Sequence, residues 1–270
     1  MKYFISEFLG TLILSGSLNF MCDYSNGGQK LNLFEILCAM LIAVQFSRKI
    51  SGGHVNPAVT LTCYLHSNEK GKKKYEEIYQ EMVGGQFCAG LVAPILSSIL
   101  IGNSLNIKIS EDASYLGAFI VETIGAAIFY LVILTQASPG HNLTQGDEFI
   151  SSMVVAIGLT TGISLAGNES GAGLNPAISI SQNIVTLFVK KDIRALKYTI
   201  IYILGPVAAS FLAVFLYENL NEEKFVLKEK ALGNESKSSF TDNKISTKDK
   251  EIGGIYNNSI ELKDKEEGLI

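Results

Sequence analysis

The chain has 270 residues, of which 47% are apolar, and a formal net charge of −4. This small charge, with no basic stripe interleaved with aromatic residues, argues against a nucleic-acid partner. The four cysteines form no Cys-x-x-Cys pair and no acid, base or nucleophile constellation is present, so we expect no metal site, no cofactor and no enzyme.

Long uncharged stretches, separated by short polar ones, dominate the chain as far as residue 217. The mean hydropathy is +0.27 despite a highly charged C-terminal segment. A helix of about 17–25 apolar residues crosses a bilayer, whereas a soluble bundle would show polar faces at helical spacing. We therefore expect an all-α protein of the lipid bilayer with six transmembrane helices, at about 3–20, 31–47, 78–101, 114–136, 149–166 and 195–217.

The first predicted span contains Glu7, and the fourth contains Glu122 in a similar Glu-x-x-Gly sequence. A carboxylate within a span is costly, so each needs a reason. One interpretation is a proton or cation site. The other is a structural carboxylate that accepts hydrogen bonds from non-helical backbone at membrane depth, where protein must satisfy every polar group. The second interpretation is favoured.

A glycine-rich turn follows the second predicted span and leads into an Asn-Pro-Ala triplet, and the same pattern recurs later in the chain. Asn is a strong helix N-cap, and Pro is tolerated at the first helical position. Each triplet is therefore predicted to begin a helix of about 10–14 residues, which is too short to span a membrane. The triplets, called here the two boxes, are Asn56, Pro57 and Ala58, and Asn175, Pro176 and Ala177.

The boxes and the glutamates within the predicted spans both indicate an internal repeat, because the two boxes are 119 residues apart and Glu7 and Glu122 are 115 residues apart. Each repeat contains three spans and one half-helix, and we place the repeats at about 1–103 and 114–218. An odd number of spans inverts the second repeat in the membrane. The half-helices would then enter from opposite faces and bring their positive N-termini together at the midplane.

Basic residues after the second span and the first half-helix, Arg48-Lys49 and the lysines of 70–74, predict the cytoplasmic side. Both termini then lie in the cytoplasm, and the membrane is the plasma membrane or an intracellular one. From Asn219 the chain is rich in charged and polar residues, so 219–270 is predicted to be a disordered cytoplasmic tail.

The duplicated, glycine-led Asn-Pro-Ala box resembles the aquaporin family of water and small-solute channels. The resemblance implies an aquaporin-like fold with two re-entrant half-helices and a homotetramer with one pore in each monomer. It also implies passive conduction of water and small uncharged solutes such as glycerol and urea. Ions and protons would be excluded by the paired half-helices and the asparagine amides.

One position departs from the family pattern, because Ile178 follows the second box where aquaporins usually carry Arg. Counting outward from the boxes gives an outer selectivity filter without a polar side chain: Ile36, Ile163, Ala172 and Ile178. We expect such a filter to pass small neutral solutes less selectively than a strict water channel does; the alternative is an apolar constriction that dewets and conducts slowly. His54 matches a pore-lining histidine of the family, although a lone histidine is also common as a structural residue.

Two other classes stay open at this point. A coupled solute transporter also uses inverted repeats and broken helices, and would need Glu7 or Glu122 as a titrating site. A non-conducting membrane scaffold would share the architecture but show no permeability above that of bare lipid.

Overall fold

The computed structural model describes residues 1–25, 28–137, 146–191 and 193–238. In these ranges the chain is helical apart from connecting loops and one isolated bridge between Asp23 and Lys30. The helices are α1 (Lys2–Phe20), α2 (Leu33–Ser51), α3 (Pro57–His66), α4 (Glu69–Ile101), α5 (Tyr115–Ala137), α6 (Glu148–Ser170), α7 (Pro176–Lys190), α8 (Arg194–Lys197) and α9 (Thr199–Ser238).

Four helices are long and apolar enough to cross a membrane by length and composition: α4, α5, α6 and the Thr199–Leu220 part of α9. The other two predicted spans, α1 and α2, have 19 residues each, or about 28 Å. The hydropathy of α1 is reduced by a buried polar row at four-residue spacing, formed by Glu7, Thr11, Ser15 and Asn19. The prediction of an all-α membrane protein is confirmed.

The N-terminal end of α4 lies well before the predicted start at residue 78, because the helix begins at Glu69 and has 33 residues. Its length of about 50 Å exceeds the bilayer core of about 30 Å. The first turns are rich in Lys and Glu, which are good helix formers that hydropathy counts as non-membrane sequence. The helix therefore begins in a polar region before the span itself.

The predicted end of the last span at residue 217 falls inside α9, which continues to Ser238. By its internal contacts the chain divides into one unit at Met1–Val214 and a second at Phe215–Ile270. Residues 239–270 of the predicted tail lie outside the described residues. The disorder of that tail and the repeat boundaries stay predictions.

The two half-helices begin where the sequence predicted them, at Pro57 and Pro176. They have 10 and 15 residues, or about 15 and 22 Å, so neither spans a bilayer alone. The Asn56 side chain caps α3 by accepting the Ala58 N–H at 2.9 Å. The Asn175 side chain caps α7 in the same way, accepting the Ala177 N–H at 3.1 Å.

Small residues allow close approach between the helices that surround the half-helices. Gly125 of α5 and Gly162 of α6 face each other so closely that a Cβ on either would lie within 2.8 Å of the other's carbonyl oxygen. Gly90 of α4 leaves similar room for the Ala177 carbonyl at the start of α7. The half-helices are therefore enclosed by helices that pack backbone against backbone.

The end of α2 lies beside the start of α6. The Arg48 guanidinium donates to the Ser152 hydroxyl at 3.2 Å and to the Glu148 carbonyl at 3.4 Å. Because α2 ends where α6 begins, these corresponding helices of the two halves run in opposite directions. This arrangement is the one that an inverted repeat requires.

Candidate functional site

The loops that lead into the boxes have unusual backbone conformations. Six residues have positive φ angles: Gly52 (92°), Gly53 (69°), Val55 (46°), Gly171 (78°), Ala172 (50°) and Leu174 (41°). Glycine adopts this region freely, but a β-branched residue such as Val55 is strained there. Strained backbone of this kind persists only where surrounding contacts hold it in place.

In the first half, the buried carboxylate of Glu7 supplies those contacts. It accepts four hydrogen bonds: from the Ser51 hydroxyl at 2.6 Å, the His54 N–H at 3.1 Å, the Val55 N–H at 2.7 Å and the Gln86 side-chain amide at 2.6 Å. Two of the donors are backbone groups of the irregular loop. The carboxylate therefore satisfies N–H groups that have no helical partner at membrane depth.

Glu122 makes the equivalent contacts in the second half. Its carboxylate accepts the Ser170 hydroxyl at 2.5 Å, the Gly173 N–H at 3.2 Å and the Leu174 N–H. Ser170 precedes its box asparagine by five residues, as Ser51 does in the first half. The contacts are thus repeated along with the sequence.

The glycine three residues after Glu7 makes room for the first loop. A Cβ on Gly10 would lie 2.7 Å from the Cγ1 of Val55, whereas one on Gly125 would lie 3.4 Å from the Cδ2 of Leu174, which is an ordinary contact. In the first half the Glu-x-x-Gly sequence therefore holds the residue before the box asparagine twice, through its N–H and through the space for its side chain.

The two boxes contact each other directly and reciprocally. The Asn56 amide donates to the Leu174 carbonyl at 2.9 Å, and the Asn175 amide donates to the Val55 carbonyl at 2.8 Å. The Tyr130 hydroxyl also donates to the Leu174 carbonyl, at 2.8 Å. An asparagine amide has two N–H groups, and each of these bonds uses one. The tips of α3 and α7 are thereby fixed against each other.

A cavity of about 780 Å³ opens on one side of this junction. Both box asparagines line it, and so do all four residues predicted to form the outer filter: Ile36, Ile163, Ala172 and Ile178. Ile36 and Ile178 are each 2% exposed. The structure therefore brings the predicted filter and the boxes to one cavity.

His54 was predicted to line the pore, but it does not line this cavity. Its ring nitrogens contact two side chains, with Nδ1 at 3.1 Å from the Thr60 hydroxyl and Nε2 at 3.4 Å from the Tyr75 hydroxyl. Its side chain is buried. The pore-lining role of His54 stays a prediction.

Two connecting loops, for which the sequence predicted no functional role, also line the cavity. They contribute polar residues: Gln29, Asn106 and Lys108. A signal for the second loop was present in its alternation of apolar and polar residues, which is typical of an extended segment with one buried face. The apolar members, all buried, are Leu105, Ile107 and Ile109.

The protein has apolar helices long enough to cross a membrane, and they surround two half-helices that meet at their tips. An open cavity lies beside this junction. These features define the class of the protein as a membrane channel. A model of the major intrinsic protein family matches residues 1–217. The chain belongs to this family, whose members are passive channels and not enzymes.

Individual relatives agree with this assignment. The chain is 28% identical over 230 residues to glycerol uptake facilitator protein-like 6 of Lactiplantibacillus plantarum, covering 83% of this chain and 100% of that protein. It is 25% identical over 251 residues to aquaporin AqpM of Methanothermobacter marburgensis, covering 82% and 98%. The structure of the aquaglyceroporin from Plasmodium falciparum superposes with a TM-score of 0.66 at 20% identity, covering 84% and 98%, which shows a shared fold.

Proposed function

We propose that this protein conducts water and small uncharged solutes, including glycerol and urea, passively across a membrane and excludes ions and protons. The observation that carries the proposal is the reciprocal pair of amide–carbonyl bonds between the boxes. This pair holds two asparagine amides at the base of one cavity. Relatives named as aquaporins and as glycerol uptake facilitators support the solute class.

Ion exclusion follows from the polarity of the junction. The N-terminus of a helix carries a partial positive charge, and α3 and α7 direct two such ends to the same place. The second N–H of each asparagine amide can donate to a solute oxygen. A passing water is therefore held as an acceptor, while cations and hydronium meet a positive potential.

The filter gives the solute preference. None of Ile36, Ile163, Ala172 or Ile178 offers a side-chain hydrogen bond, so a solute that sheds water there gains only apolar contact. Such a filter favours solutes with hydrocarbon surface, such as glycerol, and it lacks the fixed charge and donor fork with which a guanidinium selects against other solutes, including urea. We infer that glycerol and urea pass more readily than they would through a strict water channel.

We infer that Glu7 and Glu122 are structural, and this distinguishes a channel from a coupled transporter. Each carboxylate is buried and engaged by loop N–H groups and a serine hydroxyl. Protonation at a titrating site would weaken these bonds, because a neutral carboxyl group is a poorer acceptor than a carboxylate and turns one oxygen into a donor. The near-identical contacts in both halves support one shared structural task.

Topology and assembly extend the proposal. We place both termini in the cytoplasm of a plasma or intracellular membrane, consistent with the basic end of α2 beside the start of α6. We propose a channel domain at 1–218, a cytoplasmic tail at 219–270 and a homotetramer with a separate pore in each monomer. Family membership supports the assembly.

The test is stopped-flow swelling of proteoliposomes that contain the purified protein, with water, glycerol and urea, together with a proton-flux assay. Asn56→Asp removes the amide donors and places a negative charge at the junction. We expect it to reduce water flux and to admit protons. Asn32→Asp is the matched control, because Asn32 caps α2 at an exposed site where Asp caps equally well.

Three outcomes would contradict the proposal. Water flux no higher than that of bare liposomes would indicate a scaffold. Saturable uptake driven by an ion gradient would indicate a transporter. Water flux with complete exclusion of glycerol and urea would refute the inferred solute preference while leaving the channel intact.

A further inference from the structure

Among the described residues that line the cavity, Lys108 is the one with a charged side chain. It lies in the loop between α4 and α5, far in sequence from the position after the second box where the family usually carries a cation. The rest of the lining is apolar or neutral polar. Within the described lining, the one charged side chain therefore comes from the connecting loop.

The loop is fixed at the cavity wall by its own backbone. The Leu105 N–H donates to the Asn19 side-chain oxygen at 3.0 Å, and the Ser110 N–H donates to the Glu169 carbonyl at 2.9 Å. These bonds lie on either side of Lys108. The segment that contains Lys108 is thus held at both ends by the helical part of the protein.

Lys108 itself lies against the turn that leads into the second box. A Cβ on Gly171 would be 2.6 Å from the Lys108 carbonyl oxygen and 3.2 Å from its nitrogen, so only glycine leaves room for this contact. Gly171 directly precedes Ala172, a residue of the predicted filter. The backbone of Lys108 is therefore fixed next to the filter.

The side chain of Lys108 is exposed, and its ammonium group forms no ion pair within the described part of the chain. Three acidic residues lie close to Lys108 in sequence or on the segment that the loop contacts: Glu111, Asp112 and Glu169. All three are exposed, and none lines the cavity. A lysine ammonium is a hydrated point charge on a flexible stem, so it acts on the cavity through its field.

We propose that Lys108 is a specificity-determining residue that makes the cavity mouth electropositive in place of a cation at position 178. It repels cations and enriches small anions before they reach the isoleucine filter, and it leaves uncharged solutes unaffected. The inference rests on the proposed function only in taking this cavity as part of the conduction path.

The experiment measures the local potential directly. The four native cysteines are replaced by serine, and Ala172→Cys places one thiol in the cavity. The thiol is reacted at low salt with an anionic and with a cationic methanethiosulfonate of similar size. Mass spectrometry measures the rate of each reaction. The ratio of the anionic to the cationic rate is then compared among three proteins: the one that retains Lys108, Lys108→Gln and Lys108→Glu. Lys30→Gln is the control, because Lys30 is an exposed lysine in the other lining loop that does not itself line the cavity.

We expect Lys108→Gln to lower the anion-to-cation rate ratio by about threefold to tenfold, Lys108→Glu to lower it further, and Lys30→Gln to change it little. The differences should shrink as salt is raised. If neither reagent modifies Ala172→Cys, the same ratio is read from Ser164→Cys, an exposed residue of the same cavity. A ratio that is the same with lysine, glutamine and glutamate would overturn the proposal.

Water flux is measured in parallel and separates the two proposals. Proteoliposomes that contain Lys30→Gln are expected to swell at the rate of those with the parent protein. If the parent protein conducts no water, the proposed function fails, but the rate ratio still reports whether Lys108 controls the charge of the cavity.

Discussion

Replacing Glu7 by Gln tests the structural role of the buried carboxylates. The carboxylate accepts four hydrogen bonds, two at each oxygen: Ser51 and His54 at Oε1, Val55 and Gln86 at Oε2. A glutamine keeps one oxygen and turns an NH₂ group toward the donors at the other. Whichever way the amide is oriented, one backbone N–H loses its acceptor.

The expected cost follows from these contacts. A hydrogen bond to a charged group contributes about 1.5–3 kcal/mol, and two are lost, so Glu7→Gln should destabilise the protein by about 3–6 kcal/mol. For a chain of this size that corresponds to a fall in the unfolding midpoint of about 10 °C. Thermal unfolding in detergent measures this fall in the midpoint. The control is Glu111→Gln, at an exposed loop residue, which should leave the midpoint unchanged.

The transporter interpretation predicts a different result for the same variant. If Glu7 titrates during transport, Glu7→Gln would abolish gradient-driven uptake as well. A parent-like midpoint in Glu7→Gln would therefore refute the structural reasoning, whatever the flux assays show. Loss of stability with residual passive water flux would support it.

Further substitutions probe the packing of the loop and the filter. Gly10→Ala places a Cβ 2.7 Å from the Val55 side chain and should destabilise the protein by about 1–3 kcal/mol in thermal unfolding. Gly16→Ala on the same helix meets nothing within 4 Å and should be neutral or stabilising, so equal midpoints for the two variants would contradict the packing argument. Ile178→Arg adds a multi-donor cation to the filter and should lower glycerol and urea flux by about tenfold while water flux persists. Unchanged solute flux in Ile178→Arg would show that position 178 does not control the path.

Local chemistry explains why much of the fold was visible in the sequence. The starts of α3 and α7 follow from Asn-Pro pairs, whose capping geometry involves only neighbouring residues. The glutamates were recognised because a charge within a span requires compensation. The early start of α4 was missed because its Lys and Glu residues are good helix formers but poor membrane residues.

Contacts between distant segments were not predictable in the same way. The sequence shows that Asn56 and Asn175 are capping residues, but not that each amide binds the carbonyl before the other asparagine. Nor does it show that Lys108 lies against Gly171, because that contact depends on how a loop folds back over the helices. Both observations require the tertiary arrangement of segments more than 60 residues apart, which a repeat alone does not specify.

The reciprocal bond between the boxes also bears on how the protein is made. Asn56 and its acceptor Leu174 are separated by 118 positions, so the first box leaves the ribosome long before its partner exists. Until the second half inserts, the first re-entrant tip has an unpaired amide in the membrane interior. We expect the first half made alone to be short-lived in cells, and the two halves made as separate polypeptides to rescue each other.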